Sequence, residues 1–460
     1  MSHDNSDDSS GLTRRQILRS GAGLLGALGI GAGCSSMTQC GEAQATDGRD
    51  TDEPSPRATT PQAGRSESTW SQVRQSFNAD PELIHMAGML LATHPRPVRR
   101  AIERHRRGLD DNPADYLYQH WGRSEAQLDD DGEQWAIEAA GRYLDVNPAH
   151  IALTDSTTEG LATVYHGIDI RPDQEVLTGH WNHWATRGSL QHASRRIGFD
   201  IRNTRLYDDL QEVRPQQLVD GLIDDITDDT RIVAVTWVHS TSGLKLPVGA
   251  IGERIQEING GRASGDRILY CIDGVHGFGV EDTTMADLHC DFFVAGCHKW
   301  LFGPRGTGII CGAPQAWQHA TPTVPTFSMG ITPGRRFTPG GFKPYEHFWA
   351  LHEAFEFHLD IGKQRVQQRI HELTEHAIRE LHDVDGIHVR TPINPELRAG
   401  VISFRIDGHG PYQIVDRLRA DDIVSSVTPE DHPRARIAPG LLTDHRDVEQ
   451  TVAALRKLAP

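Results

Sequence analysis

The sequence predicts an α/β protein: a large, mainly parallel sheet with helices on both faces, followed by a smaller α+β domain. Three observations carry this reading. Short apolar runs recur as IALT from Ile151, EVLT from Glu175, IVAVTWV from Ile232, ILYCIDGV from Ile268 and DFFVAGC from Asp291. Such runs read as strands buried on both faces, as in a parallel sheet. Amphipathic stretches of helical length separate them, which is the spacing that parallel crossovers require. From about Phe348 the pattern changes to one long helix, AFEFHLDIGKQRVQQRIHELTEHAIREL, and then to a strand, VISFRIDG from Val401, and a helix, IVDRLRADDIV. The expected division is a targeting segment over 1–45, a flexible linker over 46–69, an N-terminal segment with the large domain over 70–345, and the small domain over 346–460.

Length and charge bound the function. A chain of 460 residues can bury a large core. Its 63 Asp and Glu against 46 Lys and Arg give a formal charge of −17, so nonspecific nucleic-acid binding is not expected. There are only five lysines, Lys245, Lys299, Lys343, Lys363 and Lys457, and lysine chemistry must use one of them. Of the six cysteines, Cys271, Cys290, Cys297 and Cys311 crowd into one apolar region, while Cys34 and Cys40 lie near the start. That is not the spacing of a disulfide framework.

The first residues read as an address. Thr13-Arg14-Arg15-Gln16-Ile17-Leu18-Arg19 precedes the glycine-rich apolar run GAGLLGALGIGAG from Gly21 to Gly33. This resembles a twin-arginine export signal, and the run is too short and too rich in glycine for a membrane-spanning helix. Ala43-Gln44-Ala45 offers a signal-peptidase-like site, and Gly31-Ala32-Gly33 before Cys34 a lipoprotein-like one. Simple cleavage is the preferred reading and a lipid anchor at Cys34 the alternative. The expected destination is the periplasm, through the twin-arginine translocon, which carries proteins already folded and so already loaded with cofactor. The segment Thr46 to Thr69 lacks apolar periodicity and reads as a linker.

Three places carry chemistry. After IALT comes Asp155-Ser156-Thr157-Thr158-Glu159-Gly160, with Ser156 and Glu159 in capping-box spacing. A hydroxyl-rich helix start cradles phosphate, although an ordinary cap has the same appearance. ILYCIDGVHGFG puts Asp273 at a strand's carboxyl end, where α/β sheets open their ligand crevice and a buried carboxylate needs a cation, although an Asp that only caps a turn has the same appearance. Finally, Cys297-His298-Lys299-Trp300-Leu301, followed by Gly303-Pro304-Arg305-Gly306-Thr307-Gly308, brings a lysine out of a buried strand. Desolvation there lowers the lysine's pKa and frees its amine for Schiff-base chemistry.

Together with ATHPRPVRRAIERH from Ala92, WVHSTSGLKLPV from Trp237 and FTPGGF from Phe337, these motifs resemble the class V aminotransferases, pyridoxal-phosphate enzymes of fold type I. The resemblance runs from Trp70 to Pro460 and is nearest the isopenicillin-N-epimerase-like branch. It implies pyridoxal 5'-phosphate as cofactor, held by Lys299 through a Schiff base, with Asp273 on the pyridine nitrogen and His183 stacked on the ring. His276 is implied near the phenolic oxygen, and Thr157, Thr158 and His298 at the phosphate. Gly340 and Gly341 match a segment that reaches the other subunit's cofactor, so a homodimer is implied. Arg436, in Arg434-Ala435-Arg436, matches the arginine that binds a substrate carboxylate, a task suited to its planar fork. The neighbours of His183 depart from the family's acidic-flanked pattern.

The implied activity is transamination or epimerisation at the α-carbon of an amino acid or peptidyl amine. The export signal adds tailoring of siderophore peptides as a substrate expectation, since exported members of this branch include such enzymes. A lyase of the same fold is the alternative. Cysteine desulfuration is disfavoured, because it needs a mobile-loop cysteine downstream of the lysine and none follows Cys311. His180 and His183 have an HxxH spacing, but no neighbouring Cys or carboxylate completes a familiar metal-ligand set, so a metal-dependent hydrolase and a noncatalytic binding protein are the remote readings.

Overall fold

A computed structural model describes residues 70–121, 131–328, 332–429 and 433–460. The twin-arginine-like segment, the linker and both proposed processing sites lie outside the described residues. All described residues fall in one compact unit, Ser66–Pro460. No helix among them is long and apolar enough to cross a membrane.

The described chain opens with helix α1 (Trp70–Gln75), strand β1 (Ile84–His85) and helices α2 (Arg96–Asp111), α3 (Pro113–His120) and α4 (Gly132–Leu144). Strand and helix then alternate: β2 (Ile151–Thr154), α5 (Thr157–Gly167), β3 (Glu175–Gly179), α6 (Trp184–Ile197), β4 (Asp200–Thr204), α7 (Pro215–Asp224), β5 (Thr230–Thr236), α8 (Val248–Asn259), β6 (Leu269–Asp273), α9 (Met285–Leu288), β7 (Phe292–Gly296) and β8 (Gly308–Gly312). The remainder comprises α10 (Tyr345–Trp349), α11 (Leu351–Ile361), α12 (Lys363–His382), β9 (Ile387–Val389), β10 (Ile402–Ile406), α13 (Pro411–Ala420), β11 (Ile423–Val424), β12 (Ser426–Val427), β13 (Ala435–Ile437) and α14 (His445–Arg456).

Seven strands form one sheet in the order β2-β8-β7-β6-β5-β3-β4, parallel from β7 to β4, with β8 antiparallel to both neighbours. Adjacent strand residues feed opposite faces. Ala152, Val176, Ile232, Leu269 and Phe292 join α5 and α6 in one core, and Leu153, Leu177, Val233, Tyr270 and Phe293 join α4, α7 and α8 in the other. This two-sided burial explains the uninterrupted apolar runs. The large sheet is therefore the expected α/β/α architecture of fold type I.

Two strands and one helix break depart from the sequence expectation. Asp200–Thr204 forms the sheet's edge, with its first four residues exposed or half-buried, so it carries no apolar run. Gly308–Gly312 is a strand bounded by glycines. The long C-terminal helix is two helices, because Gly362 takes a φ of +95° that ends α11 and starts α12 in a new direction.

A second sheet, β12-β13-β10-β9, is antiparallel throughout and packs one face on α12, α13 and α14. The N-terminal segment packs beside it, since β1 pairs with β11 in a separate two-stranded parallel sheet and Met86 joins the core of the small sheet.

Candidate active site

The site lies at the carboxyl ends of the large sheet's strands, on the edge where β2, β3, β5, β6 and β7 all finish. Asp273 ends β6. It is 1% exposed and sits against Thr186, whose hydroxyl donates to Oδ2 at 3.4 Å, and against the Val275 N–H, which donates to Oδ1 at 3.3 Å. Burial pushes its carboxyl up to about 6, against the pull of those donors and of Lys299.

Lys299 lies in the turn after β7. Phe302 N–H donates to the Lys299 carbonyl, and Phe302 adopts a left-handed φ of 60° to close the turn. Nζ stands 3.4 Å from Nε2 of buried His276, whose Nδ1 accepts from Trp300 Nε1 at 3.4 Å. The side chain as a whole keeps intermediate exposure, yet enough protein surrounds its ammonium to bring the pKa down to about 8, burial being the main cause and Asp273 opposing it. His276 is depressed well below the ordinary histidine range, first by burial and then by Lys299.

His183 caps α6, its Nδ1 accepting from Ala185 N–H at 3.2 Å, and burial with the nearby Lys299 and Arg436 holds its pKa down to about 4. The turn that presents it is bolted by Asn182. Its amide group donates to the Ala234 carbonyl and the Thr178 hydroxyl, both at 2.8 Å, and accepts from Thr236 N–H at 2.9 Å.

The start of α5 adjoins this group. Ser156 caps it by accepting from Glu159 N–H at 3.2 Å, as the capping-box spacing predicts. Thr157 Oγ1 accepts from Gly296 N–H at 2.7 Å, which ties the helix start to the end of β7, and Thr158 is exposed. A Cβ on Gly296 would come within 3.0 Å of Thr157 Oγ1 and 3.2 Å of His298 Cε1, so the glycine keeps open the space between them. Buried His298 Nδ1 has no partner.

Arg436, on β13, completes the group. It is 3% exposed; Nε donates to Ser426 Oγ at 2.8 Å and Nη1 to the Ser240 carbonyl at 3.1 Å, and among the described residues it meets no carboxylate. Burial alone brings this guanidinium down to about 10. Lys299, Asp273, His276, His183 and Arg436 thus share one electrostatic environment. Gly340 and Gly341 stand apart from it. Gly340 N–H donates to Pro325, Gly341 has a φ of 139°, and Lys343 links this segment to Asp155 beside α5 through a 3.0 Å ion pair. A cavity of about 220 Å³ neighbours the site through Trp300 and Phe302 without including Lys299, Asp273 or His183.

Thr186, Asn182, Trp300, Ser240 and Ser426 were not singled out by sequence reasoning. Thr186 carried a usable signal, three residues beyond His183 in the first turn of the same helix. The partners of Arg436 carried none, because Ser240 lies in a turn far away in sequence and Ser426 is brought opposite only by the pairing of β12 with β13.

These residues fit pyridoxal phosphate. A buried carboxylate without an ion pair suits a protonated pyridine nitrogen, and the gap held open by Gly296, lined by a helix start and an orphaned histidine nitrogen, suits a phosphate. Fold and site together define a pyridoxal-phosphate-dependent enzyme of fold type I. More narrowly, the chain belongs to the class-V aminotransferase family, whose model matches residues 138–427. It is 25% identical over 410 residues to an isopenicillin N epimerase of Streptomyces clavuligerus, covering 85% of this chain and 98% of that one. It is 27% identical over 287 residues to a probable cysteine desulfurase of Mycolicibacterium paratuberculosis, covering 60% and 39%. Among solved structures, a cystine C–S lyase in complex with its reaction product cysteine persulfide superposes with a TM-score of 0.73 at 21% identity, covering 83% of this chain and 99% of that one.

Proposed function

We propose that this enzyme acts at the α-carbon of an amino acid or peptidyl amine that carries a carboxylate, by transamination or epimerisation. The observation that carries the reading is Arg436, a guanidinium buried beside Lys299 and His183 with no carboxylate in reach among the described residues. Unpaired buried charge is costly, and a substrate carboxylate supplies the missing partner. Bound pyridoxal phosphate supplies an electron sink that makes the α-proton acidic. Lys299 would anchor the cofactor and, with a pKa near 8, can both hold and release a proton at Nζ near neutral pH. Asp273 would hold the ring nitrogen protonated, and His183, its pKa held down to about 4, would lie beside the ring without adding charge. Thr157, Thr158 and His298 would hold the phosphate.

A lyase is the second reading, favoured by the cystine C–S lyase likeness in fold. Sulfur transfer onto this chain's own described thiols is disfavoured, since Cys271, Cys290, Cys297 and Cys311 are buried and their thiols are pushed up by burial. We further read the chain as a homodimer whose Gly340-Gly341 segment serves the neighbouring site, and as exported to the periplasm, where a peptide such as a siderophore is the substrate. The test is visible absorbance of the purified protein before and after borohydride reduction, with the labelled peptide located by mass spectrometry. A chromophore fixed to the Lys299 peptide and absent from Lys299→Ala supports the reading; turnover that survives in Lys299→Ala refutes it.

A further inference from the structure

The small sheet sorts its side chains by the two-residue period of a strand. Ile387, Val389, Ile402, Phe404, Ile406, Ala435 and Ile437 fill the core beneath the helices. The alternate positions form the opposite face, and they are rich in arginine. Arg436 lies opposite Ser403 on one side and Ser426 on the other. Arg390 N–H donates to the Ser403 carbonyl at 2.7 Å, continuing the β9–β10 ladder by one step. Arg390, Ser403, Arg436 and Ser426 therefore make one row, with two strand spacings, about 10 Å, between the two arginines. Arg434, two residues before Arg436, stands on the same face, its carbonyl accepting from Thr428 N–H at 2.9 Å.

Charge on this face is unevenly balanced. In the outer row, Arg405 and His388 both meet Asp407, at 2.7 and 2.9 Å. Arg390, Arg434 and Arg436 have no carboxylate in ion-pair reach among the described residues, on a chain whose net charge is −17. Arg390 is nonetheless held in place: its guanidinium lies 6.0 Å from the centre of the Trp181 ring, on which Tyr207 stacks at 6.4 Å, and its charge acts on the Tyr207 phenol. Trp181 is two residues from His183, so this braced arginine borders the active site. Three guanidiniums with no carboxylate partner among the described residues, one of them positioned by aromatic rings, form a ready anion site.

We propose that this face is a distal subsite for a second carboxylate, so that the substrate is an elongated amine with one carboxylate on Arg436 and another, several bonds away, on Arg390 and Arg434. The subsite rests on the reading of Arg436 given above and narrows the substrate class to long dicarboxylic amino acids or peptides with an acidic end. The test is calorimetric titration of the holoenzyme with glutarate, pimelate and azelate beside hexanoate and octanoate. These probes have no amine and cannot react, so the readout is binding rather than turnover. A dicarboxylate of fitting length should bind about tenfold tighter than the monocarboxylates, and the gain should shrink as salt is raised. It should disappear in Arg390→Gln/Arg434→Gln while monocarboxylate affinity persists. Should the double variant fail to fold, Arg390→Gln alone should cut the gain severalfold. Equal affinity for mono- and dicarboxylates at every length, or a gain that survives in the variants, overturns the subsite. A protein with cofactor fixed on Lys299 but no dicarboxylate gain loses the subsite and keeps the proposed function; one without that cofactor loses the function itself.

Discussion

Asp273 and Arg436 are both ionisable groups kept from water with no ion-pair partner among the described residues, and each invites a measurement. Asp273 has its pKa raised from 3.8 to about 6, so it binds its proton more tightly folded than unfolded. The stability it contributes is present below pH 4 and is lost as pH rises through 6, roughly 3 kcal/mol in all. In the cofactor-free protein, Asp273→Asn should therefore flatten the fall in urea midpoint between pH 4 and 6; an unchanged profile would remove Asp273 as its cause. The same variant should bind cofactor but lose most turnover. Lys299 has the opposite sign, since a lowered ammonium pKa penalises the charged form, and that penalty is relieved as pH climbs past about 8. For Arg436→Gln, the expected outcome is a KM raised about tenfold to a hundredfold with kcat within a few-fold, measured by steady-state kinetics on a carboxylate-bearing amine. A collapse of kcat at constant KM would point to a role other than grip.

Two elements are tuned by single residues. The start of α5 and the end of β7 meet through Thr157 Oγ1 and Gly296 N–H. Thr157→Val preserves volume but leaves that N–H unbonded, which should cost about 1–3 kcal/mol in urea unfolding of the cofactor-free protein. A cost near zero would mean that water replaces the hydroxyl. The break between α11 and α12 depends on backbone conformation rather than space, because the nearest atom to an added Cβ at Gly362 is 3.9 Å away while φ is +95°. Gly362→Ala should destabilise by about 1–3 kcal/mol in thermal or urea unfolding, and a stabilised variant would show that the two segments prefer one continuous helix. The amphipathic pattern runs through this glycine without interruption, which is why the sequence read as a single helix.

At the scale of the molecule, apolar surface and charge are both unevenly placed. Phe342 is 76% exposed, with Phe327 and Val324 also exposed, and Phe342 adjoins the Gly340-Gly341 segment. Such a patch on a chain of net charge −17 fits a face covered by a second copy. Sedimentation should show a dimer for the wild type and a shift toward monomer for Phe342→Glu, with loss of activity if the segment serves the other site. A monomeric wild type would refute the homodimer.

Much of the fold was legible in the chain alone, because strands buried on both faces must be written as apolar runs. The five runs identified coincide with β2, β3, β5, β6 and β7 to within a residue or two. The edge strand β4 was not legible because it needs no such run, and β8, although buried on both faces, has only Ile309, Ile310 and Cys311 between its glycines, too short a run to stand out. Asp273 and Lys299 could be found because a polar residue at the end of an apolar strand stands out locally, and the capping spacing at Ser156 is local too. What no local pattern contains is which strand ends converge, that Arg436 is buried with no carboxylate partner among the described residues, or that Arg390 shares its row. Those depend on register between segments far apart in sequence. The pKa values depend on them in turn, because desolvation and Coulomb interaction act through space and not along the chain.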